Sequence, residues 1–106
     1  MRLDTIKPFS EESREADRLM RAYAAAEKVD LYGLMRQSRK NANLFAVYDD
    51  SFCGCVCLFP FRSAMSAICL FRALCFMDQR HRDGLLVLLK ERFPQYEIFL
   101  DIKIYE

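Results

Sequence analysis

The chain has 106 residues, 53% of them hydrophobic, with nine Phe and five Tyr, which is enough apolar material for one packed domain and leaves little room for a second. Sixteen basic side chains against fifteen acidic ones leave a net charge of +1, a balance that argues against a nucleic-acid or membrane-surface role. The charged start Met1-Arg2-Leu3-Asp4 lacks the apolar core of a signal peptide. The longest apolar run, Phe52 to Phe61, falls far short of the roughly 18 residues that span a bilayer, so a soluble, cytoplasmic protein is expected.

Residues 3–9, LDTIKPF, alternate enough for a short first strand stopped near Pro8. Ser10 then stands as an N-cap before a helix over 11–29, with acids in its first turn. Ala16, Leu19, Met20, Tyr23 and Ala26 fall at three-to-four spacing and predict one buried face. A shorter second helix is expected from Asp30 to Ser38, ahead of the polar break RKNAN. NLFAVY and FCGCVCLFPF read as two strands joined by the turn Asp49-Asp50-Ser51, and a third strand lies within SAICLFRALCFM. A helix from Gly84 to Phe93 ends at Pro94, and YEIFLDIKI follows with the β-helix-β rhythm of a parallel pair. The order β-α-α-β-β-β-α-β predicts an α/β (α+β) fold, a mixed sheet flanked by helices in a single domain over 1–106.

The five cysteines, Cys53, Cys55, Cys57, Cys69 and Cys75, are odd in number and have apolar neighbours. In a regular strand the first three share one face, which suits reduced, buried thiols better than a disulfide framework. Cys-x-Cys-x-Cys is not the spacing of a zinc site, and His81 is the only histidine, so no metal is expected.

DQRHRDG, residues 78–84, places three basic side chains where a helix begins. A helix N-terminus with arginines beside it is an anion site, and Arg80, His81, Arg82, Asp83 and Gly84 are the candidates; the alternative is a solvated basic turn. His-Arg-Asp also occurs in protein-kinase catalytic loops, but the Asn that such a loop needs five residues on is Leu88 here.

The order of elements, with these residues, resembles the GCN5-related N-acetyltransferase family, which passes an acyl group from coenzyme A to an amine. IKPFSEESREADRLM looks like the family's opening strand and first helix, and AVYDDSFCGCVCLFPFR like its central hairpin. FMDQRHRDG is similar to the opening of its cofactor loop, and LLVLLKERFPQYEIFLDI looks like the helix and strand beyond. The resemblance implies an acyl-CoA N-acyltransferase-like fold, acetyl-CoA as cosubstrate, an amine acceptor, and cofactor contacts from residues 80–84. It also implies that the edge of the third strand at Leu74, Cys75 and Phe76 pairs with the pantetheine arm, where backbone donors bind the thioester oxygen.

Two departures stand beside it. The family's loop carries glycines that let the backbone approach a pyrophosphate, whereas this stretch has only Gly84. The family also usually continues into another helix and strand bearing a general-acid tyrosine. This chain stops at Glu106, with Tyr105 too close to the strand for that role, so a domain without the family's last helix and strands is expected. Glu97, Asp101 and Lys103 alternate with apolar residues, as a wet strand face or as a base for the amine. Cys75 as an acyl-accepting nucleophile needs a neighbouring base. The rival functional readings are an inactive relative that self-associates or binds a partner, and a thiol-rich metal or redox module.

Overall fold

The computed structural model describes residues 1–30, 33, 36, 44–62 and 69–104. Five strands form one sheet in the order β1 (Arg2–Thr5), β2 (Leu44–Asp49), β3 (Ser51–Arg62), β4 (Cys69–Phe76) and β5 (Glu97–Lys103). The first three pairings are antiparallel, and β5 runs parallel to β4 from Leu70↔Glu97 to Phe76↔Lys103. Helix α1 (Glu11–Glu27) packs on one face and α2 (Arg82–Arg92) on the other. Among the described residues the result is a mixed α+β fold, a five-stranded sheet flanked by two helices. No helix among the described residues is long and apolar enough to cross a membrane.

Helix α1 starts where the sequence places its cap: Ser10 Oγ accepts from the Ser13 N–H at 3.1 Å, and Glu11 and Glu12 sit in the positive first turn. Its buried stripe is Ala16, Leu19, Met20, Tyr23 and Ala24. Ala26, expected inside, is exposed, because the helix ends one residue later and its last turn runs past the sheet. The short helix expected over Asp30–Ser38 lies largely outside the described residues, where only Gly33 and Arg36 are seen, both helical.

The turn at Asp50 joins β2 to β3 with a single left-handed residue, φ 64°, which Asp tolerates. Two positions later the ladder slips: Val47 pairs with Gly54 and Tyr48 with Phe52, leaving Cys53 as the extra residue of a β-bulge. The three thiols therefore do not share a face as expected. Cys55 and Cys57 pack under α1, whereas Cys53 turns to the α2 side, its thiol 3.3 Å from the Val47 carbonyl.

Beyond β4 the chain enters a 3₁₀ turn, Gln79–His81, and α2 begins directly at Arg82, so the predicted start at Gly84 is two residues late. The helix gives out at Phe93, because the residue before Pro94 is pushed from helical backbone. Phe93 then packs edge-on to Phe71 and Phe45, and Tyr96 stacks on Phe71 with ring centroids 4.2 Å apart. That aromatic cluster fixes the return into β5. The return gives β4 a neighbour on both sides, so Leu74, Cys75 and Phe76 lie in an inner strand.

Candidate functional site at the strand ends

The basic stretch is folded onto its own carboxylates. Asp78 caps the 3₁₀ turn, accepting the Arg80 N–H at 3.0 Å, and the Arg80 guanidinium closes on the same carboxylate at 2.8 Å. That guanidinium, and after it the backbone N–H, hold the Asp78 carboxyl down at about 2. His81 bridges two acids, with Nδ1 3.1 Å from Asp78 and Nε2 3.2 Å from Asp49, and so ties the β2–β3 turn to the start of α2. Arg82 lies 3.3 Å from Asp83, both exposed. Gly84 faces Met1, whose sulfur lies 3.0 Å from where a Cβ would stand. The Arg80 N–H of the 3₁₀ turn is thus engaged by an internal carboxylate, whereas no side chain caps α2 itself at His81. Arg82 and the outer side of Arg80 are the side chains this terminus offers a phosphate.

Leu74 and Cys75 are fully buried in an inner strand, with Val56 and Cys57 on one side and Asp101 and Ile102 on the other. The Cys75 thiol reaches the Ala73 carbonyl at 3.2 Å, and burial pushes it up to about 12, as it does Cys57. Cys55 is raised well above its usual range for the same reason. Thiols in that state are poor nucleophiles. Among the described residues no group of three His, Cys, Asp or Glu side chains is arranged to hold a metal ion.

A cleft of about 520 Å3 opens at the C-terminal ends of β4 and β5. Its floor is Gly54, Phe76 and Met77, one wall is the first turns of α1 with Glu11, Glu12, Glu15 and Leu19, and the rim carries Phe52, Asp78, Lys103 and Ile104. Of its four carboxylates, Glu15 is paired with Arg18 and Asp78 with Arg80, so its acidic character rests on Glu11 and Glu12. Glu12 accepts from the Tyr48 hydroxyl at 3.0 Å, and with its own backbone N–H as the larger cause this keeps its pKa low. Glu15 is held low by Arg18, at 3.0 Å. These are standing negative charges.

Phe52 reaches the cleft because of the bulge. It pairs with Tyr48, whose hydroxyl meets Glu12 on α1; in an unbroken β3 its parity would match Gly54 and Val56, on the α2 side.

Of the predicted site residues, only Phe76 lines the cleft, together with Asp78 from the stretch that precedes Arg80. Of the three residues on the wet face of β5, Lys103 lines it, while Asp101 pairs with Arg72 at 2.7 Å. Tyr105 lies outside the described residues. Sequence reasoning missed Glu11, Glu12, Glu15 and Phe52, taking the acids for helix-dipole partners alone. It also missed that Asp78, an Asp directly before a helical turn, is an N-cap, a signal that was available.

No protein-family model matches the chain, and no curated protein matches it. Several solved structures are similar to it. An aminoglycoside acetyltransferase from an uncultured soil metagenomic sample, in complex with sisomicin, has 13% identity and a TM-score of 0.45, covering 99% of this chain and 78% of that one. A mutant of the BH1408 protein from Bacillus halodurans has 8% identity and a TM-score of 0.41, covering 99% and 82%. Both likenesses are weak.

Proposed function

We propose that this chain is a single acetyltransferase-like unit, cytoplasmic, that moves an acetyl group from acetyl-CoA to an amine of a small molecule or a protein. The observation that carries the reading is the cleft. It lies at the C-terminal ends of two parallel strands, where α/β sheets collect their ligands, and it is acidic on one wall and apolar on the floor. Glu11 and Glu12 attract a protonated amine, and Phe52 and Phe76 receive its carbon skeleton. With its pKa held low, Glu12 binds and orients the ammonium and is a poor acceptor for its proton.

Acetyl-CoA supplies an acetyl thioester. Arg80 and Arg82, exposed at the start of α2, are the side chains that would hold its phosphates, and His81, Asp83 and Gly84 shape that turn. A phosphate reaching Arg80 competes with Asp78, which already holds its N–H and guanidinium, while one at Arg82 meets no such carboxylate cap. Of Leu74, Cys75 and Phe76, we retain Phe76, at the strand end, as the contact nearest the acyl group. With Cys55, Cys57 and Cys75 buried, the acetyl group passes directly to the amine. The ammonium gives up a proton to solvent, the neutral amine attacks the thioester carbonyl, the C–S bond breaks, and coenzyme A leaves as the thiol, taking up the second proton the nitrogen loses.

A second reading, a self-associating or partner-binding relative without catalysis, draws on the outer side of β5, which pairs with no strand among the described residues.

Calorimetric titration of acetyl-CoA into the protein and into an Arg80→Ala/Arg82→Ala variant tests the first reading, alongside thiol release from acetyl-CoA with a panel of mono- and polyamines. We expect binding that weakens roughly tenfold or more in the variant, as loss of two charge-assisted contacts requires, and amine-dependent thiol release. No heat at millimolar acetyl-CoA overturns it.

A further inference from the structure

The outer side of β5 carries a more specific message than exposure alone. Among the described residues no strand pairs with the outer side of its seven residues, which contain no Pro and no bulge; the charges Glu97, Asp101 and Lys103 are its only guard against pairing. The side chains alternate. Ile98, Leu100 and Ile102 pack toward the α2 face, while Asp101 and Lys103 reach Arg72 and Glu27 on the α1 face. Phe99, also on the α1 face, is 58% exposed.

We propose that this edge is the interface of a homodimer, in which two copies of β5 pair antiparallel about a two-fold axis at Leu100. A two-fold axis that makes neighbouring strands antiparallel stands perpendicular to the sheet, so α1 faces align and paired residues share parity. Three central registers satisfy that condition. Centring on Asp101 sets Asp101 against itself, and centring on Phe99 sets Glu97 against Asp101; like charges opposite each other disfavour both. Centring on Leu100 sets Glu97 against Lys103 of the second copy, twice, with Ile98 against Ile102 and Leu100 against Leu100. Phe99 falls opposite Asp101 of the second copy, twice, so the match of the segment with its own reverse rests on its charged ends and on Ile98, Leu100 and Ile102. The two five-stranded sheets then run on as one sheet of ten strands, with both copies of α1 on the same side. This inference stands independently of the acetyltransferase reading.

Sedimentation velocity across a concentration series tests it, with circular dichroism melts to confirm that each variant folds. The wild-type chain should sediment at twice its 12.5 kDa mass. Glu97→Lys creates two like-charge pairs per dimer and should raise the dissociation constant about tenfold, and Glu97→Lys/Lys103→Glu should restore it. Opposite residues have Cα atoms about 4.5–5.5 Å apart, so Leu100→Cys should oxidise to a covalent dimer, while Phe99→Cys, roughly 7–8 Å from its copy, should not. A monomer at ~100 µM overturns the proposal. So does a dimer that is indifferent to Glu97→Lys, or that cross-links through Phe99→Cys and not Leu100→Cys.

Discussion

Replacing Gly54 with alanine probes the floor of the cleft directly. An added Cβ would stand 2.2 Å from the Phe76 carbonyl oxygen and 2.8 Å from the Met77 Cβ, and it must retreat to 3.4 Å or more for an ordinary contact. The nearest obstacle is backbone, so relief requires β3 and β4 to part at the bulge. Overpacking of this kind costs about 1–3 kcal/mol, and a φ of 158° adds about 1 kcal/mol or more for a residue with a side chain. Together they come to about 3 kcal/mol, or a fall of roughly 12–24 °C in Tm for a chain near 100 residues. Gly84→Ala is the matched control. There the Cβ meets only the flexible end of Met1, at 3.0–3.1 Å, and in a helix the exchange gains ~0.5–1 kcal/mol. Thermal melts of the two variants should move in opposite directions. Equal shifts, or a Gly54→Ala melt within about 2 °C of wild type, would refute the close approach of β3 to the Phe76 carbonyl.

The low pKa of Asp78 predicts a particular acid limb. A depressed carboxyl contributes stability that is complete above its ordinary value of 3.8 and lost as pH falls through about 2, so Asp78→Asn should flatten the acid-unfolding curve between those values. The effect should shrink in high salt because the pair is exposed, and superimposable curves would exclude it. Alkylation of the folded protein at pH 8, mapped by peptide mass spectrometry, should reach Cys53 before Cys55, Cys57 or Cys75. With pKa near 12, the Cys57 and Cys75 thiols hold roughly one thiolate in ten thousand at that pH. Labelling of either at the rate of Cys53 would contradict their burial.

Much of the frame was legible because local chemistry decides it. Ser10 with Glu11 and Glu12 announces a helix start, Asp49-Asp50-Ser51 announces a turn, and a helix ended by Pro94 before YEIFLDIKI announces a parallel return. What stayed hidden depends on residues distant in sequence. Period-two counting through Phe52-Cys53-Gly54-Cys55 cannot reveal that one residue is left out of the ladder, since that depends on the register with β2, where Tyr48 meets Phe52 and Val47 meets Gly54. The cleft was invisible for the same reason: the glutamates of α1 and the residues of the floor are far apart in sequence and meet only in the folded chain. The basic stretch misled differently. Arg80, His81 and Arg82 look like cations awaiting an anion, and the anion that Arg80 and His81 meet is Asp78, next to them in the chain.

The bulge also has a meaning in the vocabulary of insertion and deletion. Removing one residue from a regular strand inverts every side chain beyond the cut, turning core to solvent. Cys53 is the exception in this hairpin. Phe52 already faces Tyr48 and Gly54 already faces Val47, so without Cys53 the two would simply become consecutive rungs, each still on its present side. Position 53 thus behaves as a spacer within β3, holding a place that no partner strand counts.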